Sequence, residues 1–110
     1  PKILILGMAY KKNMDDIRES ASIKLIEKLN KIKFYKIQYH DPHLKSIILN
    51  KKLEKIKKIK KISSNKIKKF DIVVLMTDHD VFDYKMLLQN SKLIIDCRGR
   101  YKVNNKVIRA

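Results

Sequence analysis

A chain of 110 residues with 45% hydrophobic content and a net charge of +16 is the size of one domain and too apolar for wholesale disorder. No apolar run approaches the roughly 20 residues needed to cross a bilayer. The single cysteine, Cys97, excludes an internal disulfide and fits a reducing cytoplasm. Only four of the 27 basic residues are arginine, and lysine is interleaved with isoleucine and asparagine along the chain. The excess charge therefore reads as solvated faces rather than a polyanion-binding surface.

Pro1-Lys2-Ile3 is neither a signal peptide nor a natural initiator, so the chain reads as a piece excised from a longer protein. Lys2–Leu6 is short, apolar and stopped by Gly7, which predicts a buried strand. Ala21–Ile32 sets Ala21, Leu25, Ile26, Leu29 and Ile32 on one side and lysines with Glu27 on the other. That is an amphipathic helix, with Ser20 as its N-cap. Phe34–His40 returns to strand character before Asp41-Pro42 ends it. His43–Leu53 reads as helix or part loop, and a short edge strand is expected near Lys58–Ile62. Ser63–Ser64 caps a short helix to Phe70, Asp71–Met76 is the clearest buried strand, Val81–Gln89 is a helix and Leu93–Asp96 a strand. Strands alternating with helices predict an α/β domain, a doubly wound, mainly parallel Rossmann-like sheet of about five strands in three αβα layers.

In such a sheet ligands sit at the carboxyl ends of strands. The first strand ends in a charge-dense turn with Lys11, Lys12 and Arg18 as cations and Asp15, Asp16 and Glu19 to fix them. Cations gathered on one short loop suit an anion, and phosphate best. The acids with Arg18 form a compact ionic group, which assigns Arg18 first to shaping the loop and second to the ligand. Gly7-Met8-Ala9-Tyr10-Lys11-Lys12 supplies one glycine where a G-x-G-x-x-G turn needs three, which argues against this domain holding NAD. His40-Asp41-Pro42-His43 and Asp78-His79-Asp80 lack zinc-site spacing, so no metal is expected. Arg98 and Arg100 follow the last expected strand, beside Asp96.

The run GMAYKKNMDDIRES resembles the opening of the C-terminal, UDP-binding domain of the UDP-glucose/GDP-mannose dehydrogenase family, nearest the branch oxidising UDP-N-acetylhexosamines. YHDP at Tyr39–Pro42, DIVVLMTDH at Asp71–His79 and LIIDCRGRY at Leu93–Tyr101 follow in the expected order. The resemblance implies that residues 1–110 form a single UDP-sugar-binding domain of a longer NAD-dependent enzyme of nucleotide-sugar metabolism and polysaccharide biosynthesis. It implies that Tyr10 and Lys11 contact UDP and that Arg98 reaches the ribose-phosphate region, with Asp96 orienting it. Thr77-Asp78-His79 matches the family's T-D-H turn, read as shaping the loop. The family oxidises a sugar C6 alcohol to a carboxylate with two NAD+ through a cysteine thioester. Its NAD-binding domain and nucleophile lie outside this segment. Cys97 is therefore a packed or incidental thiol, no residue here is catalytic, and the isolated domain is expected to be inactive. The expected partners are the UDP-sugar, the remaining domains and further copies in a homo-oligomer, in the cytoplasm, with no membrane. Two other readings remain at this stage, a lysine-rich nucleic-acid-binding module and a non-catalytic oligomerisation or regulatory domain.

Overall fold

The computed structural model describes residues 1–8, 21–32, 35–42 and 56–109. Six strands form one sheet: β1 (Lys2–Leu6), β2 (Lys36–His40), β3 (Lys57–Lys58), β4 (Ile72–Leu75), β5 (Ile94–Asp96) and β6 (Val107–Arg109). Their spatial order is β3-β2-β1-β4-β5-β6, and every neighbouring pair is parallel. The order reverses between β1 and β4, so the connections leaving these two strands diverge and open a crevice at their carboxyl ends.

The helices are α1 (Ala21–Asn30), α2 (Ser64–Ile67) and α3 (Tyr84–Asn90). Alternation along the strands feeds two cores. Ile3 and Ile5 of β1 pack with Ile37, Tyr39 and Val74, covered by Ile26 of α1. Leu4 and Leu6 face the other way, with Val73, Leu75, Ile94 and Val107, and are covered by Ile67 of α2 and Leu87 of α3. A strand buried on both faces reads as a continuous apolar run, which is why β1 and β4 stand out in the sequence.

Caps set the helix boundaries. The Ser63 hydroxyl accepts from the Lys66 backbone N–H at the start of α2, and Asp83 Oδ1 accepts from the Met86 N–H at 3.0 Å. Asp83 thus starts α3 at Tyr84, three residues later than the sequence reading, and leaves Val81 63% exposed. Similarly α1 ends at Asn30, and Ile32, expected on its apolar face, is exposed. The edge strand forms at Lys57–Lys58, at the near edge of the expected span. The sheet exceeds the expected five strands because β6 adds a sixth. The Asn104 side chain accepts from the Lys106 N–H at 2.7 Å, turning the chain back beside β5. Lys106 Nζ then donates to the Leu88 and Gln89 carbonyls at the end of α3. Ser20 and His43–Leu53 lie outside the described residues.

Candidate functional site at the strand exits

Four strand ends border the crevice, and each is held by a backbone-directed polar bond. Gly7 closes β1 with φ +89°, and a Cβ there would lie 2.5 Å from Thr77 Cβ at the end of β4. Only glycine allows this backbone turn and this approach together. The Gly7 N–H donates to the His40 carbonyl at 2.8 Å. Next, the Met8 N–H donates to Asp41 Oδ2 at 2.7 Å. The same carboxylate oxygen accepts from His79 Nε2 at 3.0 Å, with both side chains fully buried. Asp41 follows β2 and His79 follows β4, so one carboxylate ties together the ends of the three central strands. His40 Nδ1 donates to the Ile59 carbonyl at 2.7 Å, fastening the β3 edge to the same cluster. Burial lowers the His40 pKa, partly offset by that bond and by Asp41.

The β5 exit is built around Asp96, which is 1% exposed. Its Oδ1 accepts from the Arg98 and Gly99 N–H groups, both at 2.9 Å, and its Oδ2 from the Tyr101 N–H at 2.8 Å. The carboxylate is committed to backbone, which revises the expectation that it orients the Arg98 guanidinium. That task falls to Asp78, whose Oδ1 lies 3.4 Å from Arg98 Nε. Asp78 leaves β4 and Arg98 leaves β5, so the ion pair bridges two neighbouring strand tips.

The two arginines of this loop are used differently. The Arg100 guanidinium lies 4.2 Å from the centre of the Tyr84 ring, a cation–π contact that anchors the loop. Tyr84 in turn donates to the His79 carbonyl and Tyr101 to the Tyr84 carbonyl, both at 2.6 Å. The Arg98 side chain is 39% exposed. With Nε directed at Asp78, the guanidinium retains four further N–H donors. Cys97 is half-buried against the first core, and burial, then Asp96, raises its pKa. Such a thiol is a poor nucleophile.

Tyr10, Lys11 and Arg18 lie outside the described residues, as do Lys12, Asp15, Asp16 and Glu19. Arg98 is the sequence-expected ligand residue that the structure places at the crevice. The link from Asp41 to Met8 and His79 was missed. Both segments were visible in the sequence, and strands expected on either side of β1 would have brought their exits together. Among the described residues, no group of three His, Cys, Asp or Glu side chains could hold a metal.

Gly7, the glycine of the β1 exit, is spent on the contact with Thr77. An acid after the second strand could hold a ribose in a dinucleotide site, but here Asp41 is 2% exposed and bonded within the protein.

Residues 4–103 match the UDP binding domain of the UDP-glucose/GDP-mannose dehydrogenase family. The chain belongs to that family. Over 104 residues this UDP-binding domain is 31% identical to an NDP-N-acetyl-D-galactosaminuronic acid dehydrogenase of Ralstonia solanacearum, covering 92% of this chain and 23% of the relative. It is also 31% identical over 98 residues to a UDP-N-acetyl-D-mannosamine dehydrogenase of Campylobacter jejuni, covering 88% and 23% respectively. The chain thus spans about a quarter of the length of the curated relatives it matches. Among solved structures, a UDP-N-acetyl-mannosamine dehydrogenase from S. aureus shares the fold of the UDP-binding domain. The TM-score is 0.69 at 24% identity, over 98% of this chain and 25% of that one.

Proposed function

We propose that this UDP-binding domain holds the nucleotide end of a UDP-sugar for a parent NAD-dependent UDP-sugar 6-dehydrogenase, which converts the sugar to a UDP-uronate. The observation that carries this reading is the Arg98–Asp78 pair, a half-exposed guanidinium fixed at the crevice of a family UDP-binding domain. Arg98 supplies a planar fork to phosphate or ribose oxygens. The family resemblance assigns Tyr10 and Lys11 to the same UDP, with Arg18 first shaping their loop and second a ligand. Binding energy gathered at the nucleotide, remote from the reacting C6, positions that alcohol for oxidation elsewhere in the protein.

This division of labour assigns NAD and the nucleophile to the remaining domains of a homo-oligomeric cytoplasmic enzyme, and residues 1–110 to a single domain inactive alone. Its support is the glycine-poor β1 exit and the raised pKa of Cys97. Among the described residues, no helix is long and apolar enough to cross a membrane. Arg98→Ala and Lys11→Ala in the complete parent protein test the assignment. Each is expected to lower kcat/KM for the UDP-sugar about tenfold or more, with NAD affinity unchanged. Unaltered kinetics in both would remove these residues from the site.

A further inference from the structure

We propose that Tyr84 is a positioning residue for the nucleotide, fixing the Arg98–Asp78 pair from both sides so that the guanidinium meets UDP in one orientation. The inference rests on the UDP reading above and adds a residue to it. Its origin is local. Asp83 caps α3 by accepting from the Met86 N–H, which makes Tyr84 the first residue of the helix. Helical side chains lean toward the N-terminus. The Tyr84 side chain therefore lies back over the turn that leaves β4, where its hydroxyl reaches the His79 carbonyl.

These contacts bracket the ion pair. On the β4 side, His79 directly follows Asp78. Its carbonyl accepts from the Tyr84 hydroxyl at 2.6 Å and from the Phe82 N–H at 3.3 Å. Its ring is held by Asp41 at 3.0 Å and stands edge-on to Phe82, with centroids 5.5 Å apart. With His79 fixed at both ends, the neighbouring Asp78 carboxylate has little freedom of direction. On the β5 side, the Arg100 guanidinium lies 4.2 Å from the centre of the Tyr84 ring, and the Tyr101 hydroxyl donates to the Tyr84 carbonyl at 2.6 Å. Arg100 stands two residues beyond Arg98, across Gly99, which turns the chain with φ +72°. Tyr84 thus touches the segment on each side of the pair.

The pair needs that support. Arg98 Nε lies 3.4 Å from Asp78 Oδ1, and the arginine side chain is more than a third exposed. A solvated pair of this kind holds its own geometry weakly. Orientation then comes from the backbone that carries the two side chains, and a ligand site gains most from groups fixed beforehand. The Tyr84 hydroxyl is a dependable strut. Burial, joined by the Asp78, Asp80 and Asp96 charges, outweighs the nearby Arg100 and pushes its pKa up to about 12. It therefore stays protonated, and a donor, at neutral pH.

Tyr84→Phe keeps the ring against Arg100 and removes the hydroxyl alone, and two measurements on this chain test it. Without nucleotide, the Arg98 Nε–H resonance reports the pair, and Asp78→Ala gives its position when the carboxylate is gone. In Tyr84→Phe the resonance should move toward the Asp78→Ala position. In calorimetric titration UDP should bind about three- to tenfold more weakly, the effect of one lost hydrogen bond. Repeated in Arg98→Lys, whose compact ammonium has no planar fork to orient, Tyr84→Phe should change UDP affinity by less than about twofold. An Arg98 resonance unmoved by Tyr84→Phe, or identical with and without the Asp78 carboxylate, would overturn the proposal alone. So would a loss of affinity that persists in full in Arg98→Lys, which would make Tyr84 a general support of the fold. Native UDP affinity in Arg98→Ala would instead sink the UDP reading, and the proposal with it.

Discussion

At the carboxyl ends of β1, β2, β4 and β5, two carboxylates are buried and directed at N–H groups, whereas across the β3–α2 flank Lys57, Lys66 and Lys69 are exposed around a cavity. The first arrangement spends charge on holding strand tips in place, and the second sets it at the surface. Rigid tips are what a ligand site needs, since a binding group gains most when its position is fixed before the ligand arrives.

If that contrast is right, substitutions at the strand tips should cost far more stability than substitutions on the flank. Asp41→Ala leaves the Met8 N–H and the buried His79 without this acceptor, and should cost about 3–5 kcal/mol in denaturant unfolding. Gly7→Ala forces a side chain to φ +89° and into Thr77. It should cost about 2–4 kcal/mol by the same measurement. By contrast, Lys57→Gln/Lys69→Gln should leave stability unchanged or raise it by a few tenths of a kcal/mol. A clear loss there would erase the distinction.

The smallest effect is a pH slope. Burial holds the folded-state pKa of His40 below its ordinary 6.5, so the unfolded chain binds this proton first as pH falls. His40 then contributes stability fully present above about pH 6.5 and progressively lost as pH drops toward its lowered folded value. Asp41, Lys58 and His79 act electrostatically on the same ring. In His40→Asn the part of the acid slope starting near pH 6.5 should flatten in unfolding curves taken from pH 7.5 to 5. An unchanged slope would assign the acid sensitivity to other groups.

Much of the fold was legible because strands buried on both faces leave unbroken apolar runs, as at Lys2–Leu6 and Asp71–Met76. β6 was not, since three residues with one buried face carry almost no periodic signal and depend on the turn at Asn104. The helix starts at Tyr84 and Ser64 depend on single capping side chains, Asp83 and Ser63; the sequence reading named Ser63 and passed over Asp83. At the site, Arg98 could be named from its place after a strand, but its partner could not. Asp96 is nearer in sequence, yet its oxygens are taken by backbone N–H groups, which leaves Asp78 across the sheet to hold the guanidinium.

The central claim is that a nucleotide diphosphate is gripped at the crevice beside Arg98, and amide chemical shifts during UDP titration of this chain address it most directly. The account expects saturating shifts at Asp78 and through Cys97–Gly99, absent when Arg98→Ala is titrated under the same conditions. Shifts confined to Lys57–Lys69, or unaltered by the Arg98 substitution, would contradict it.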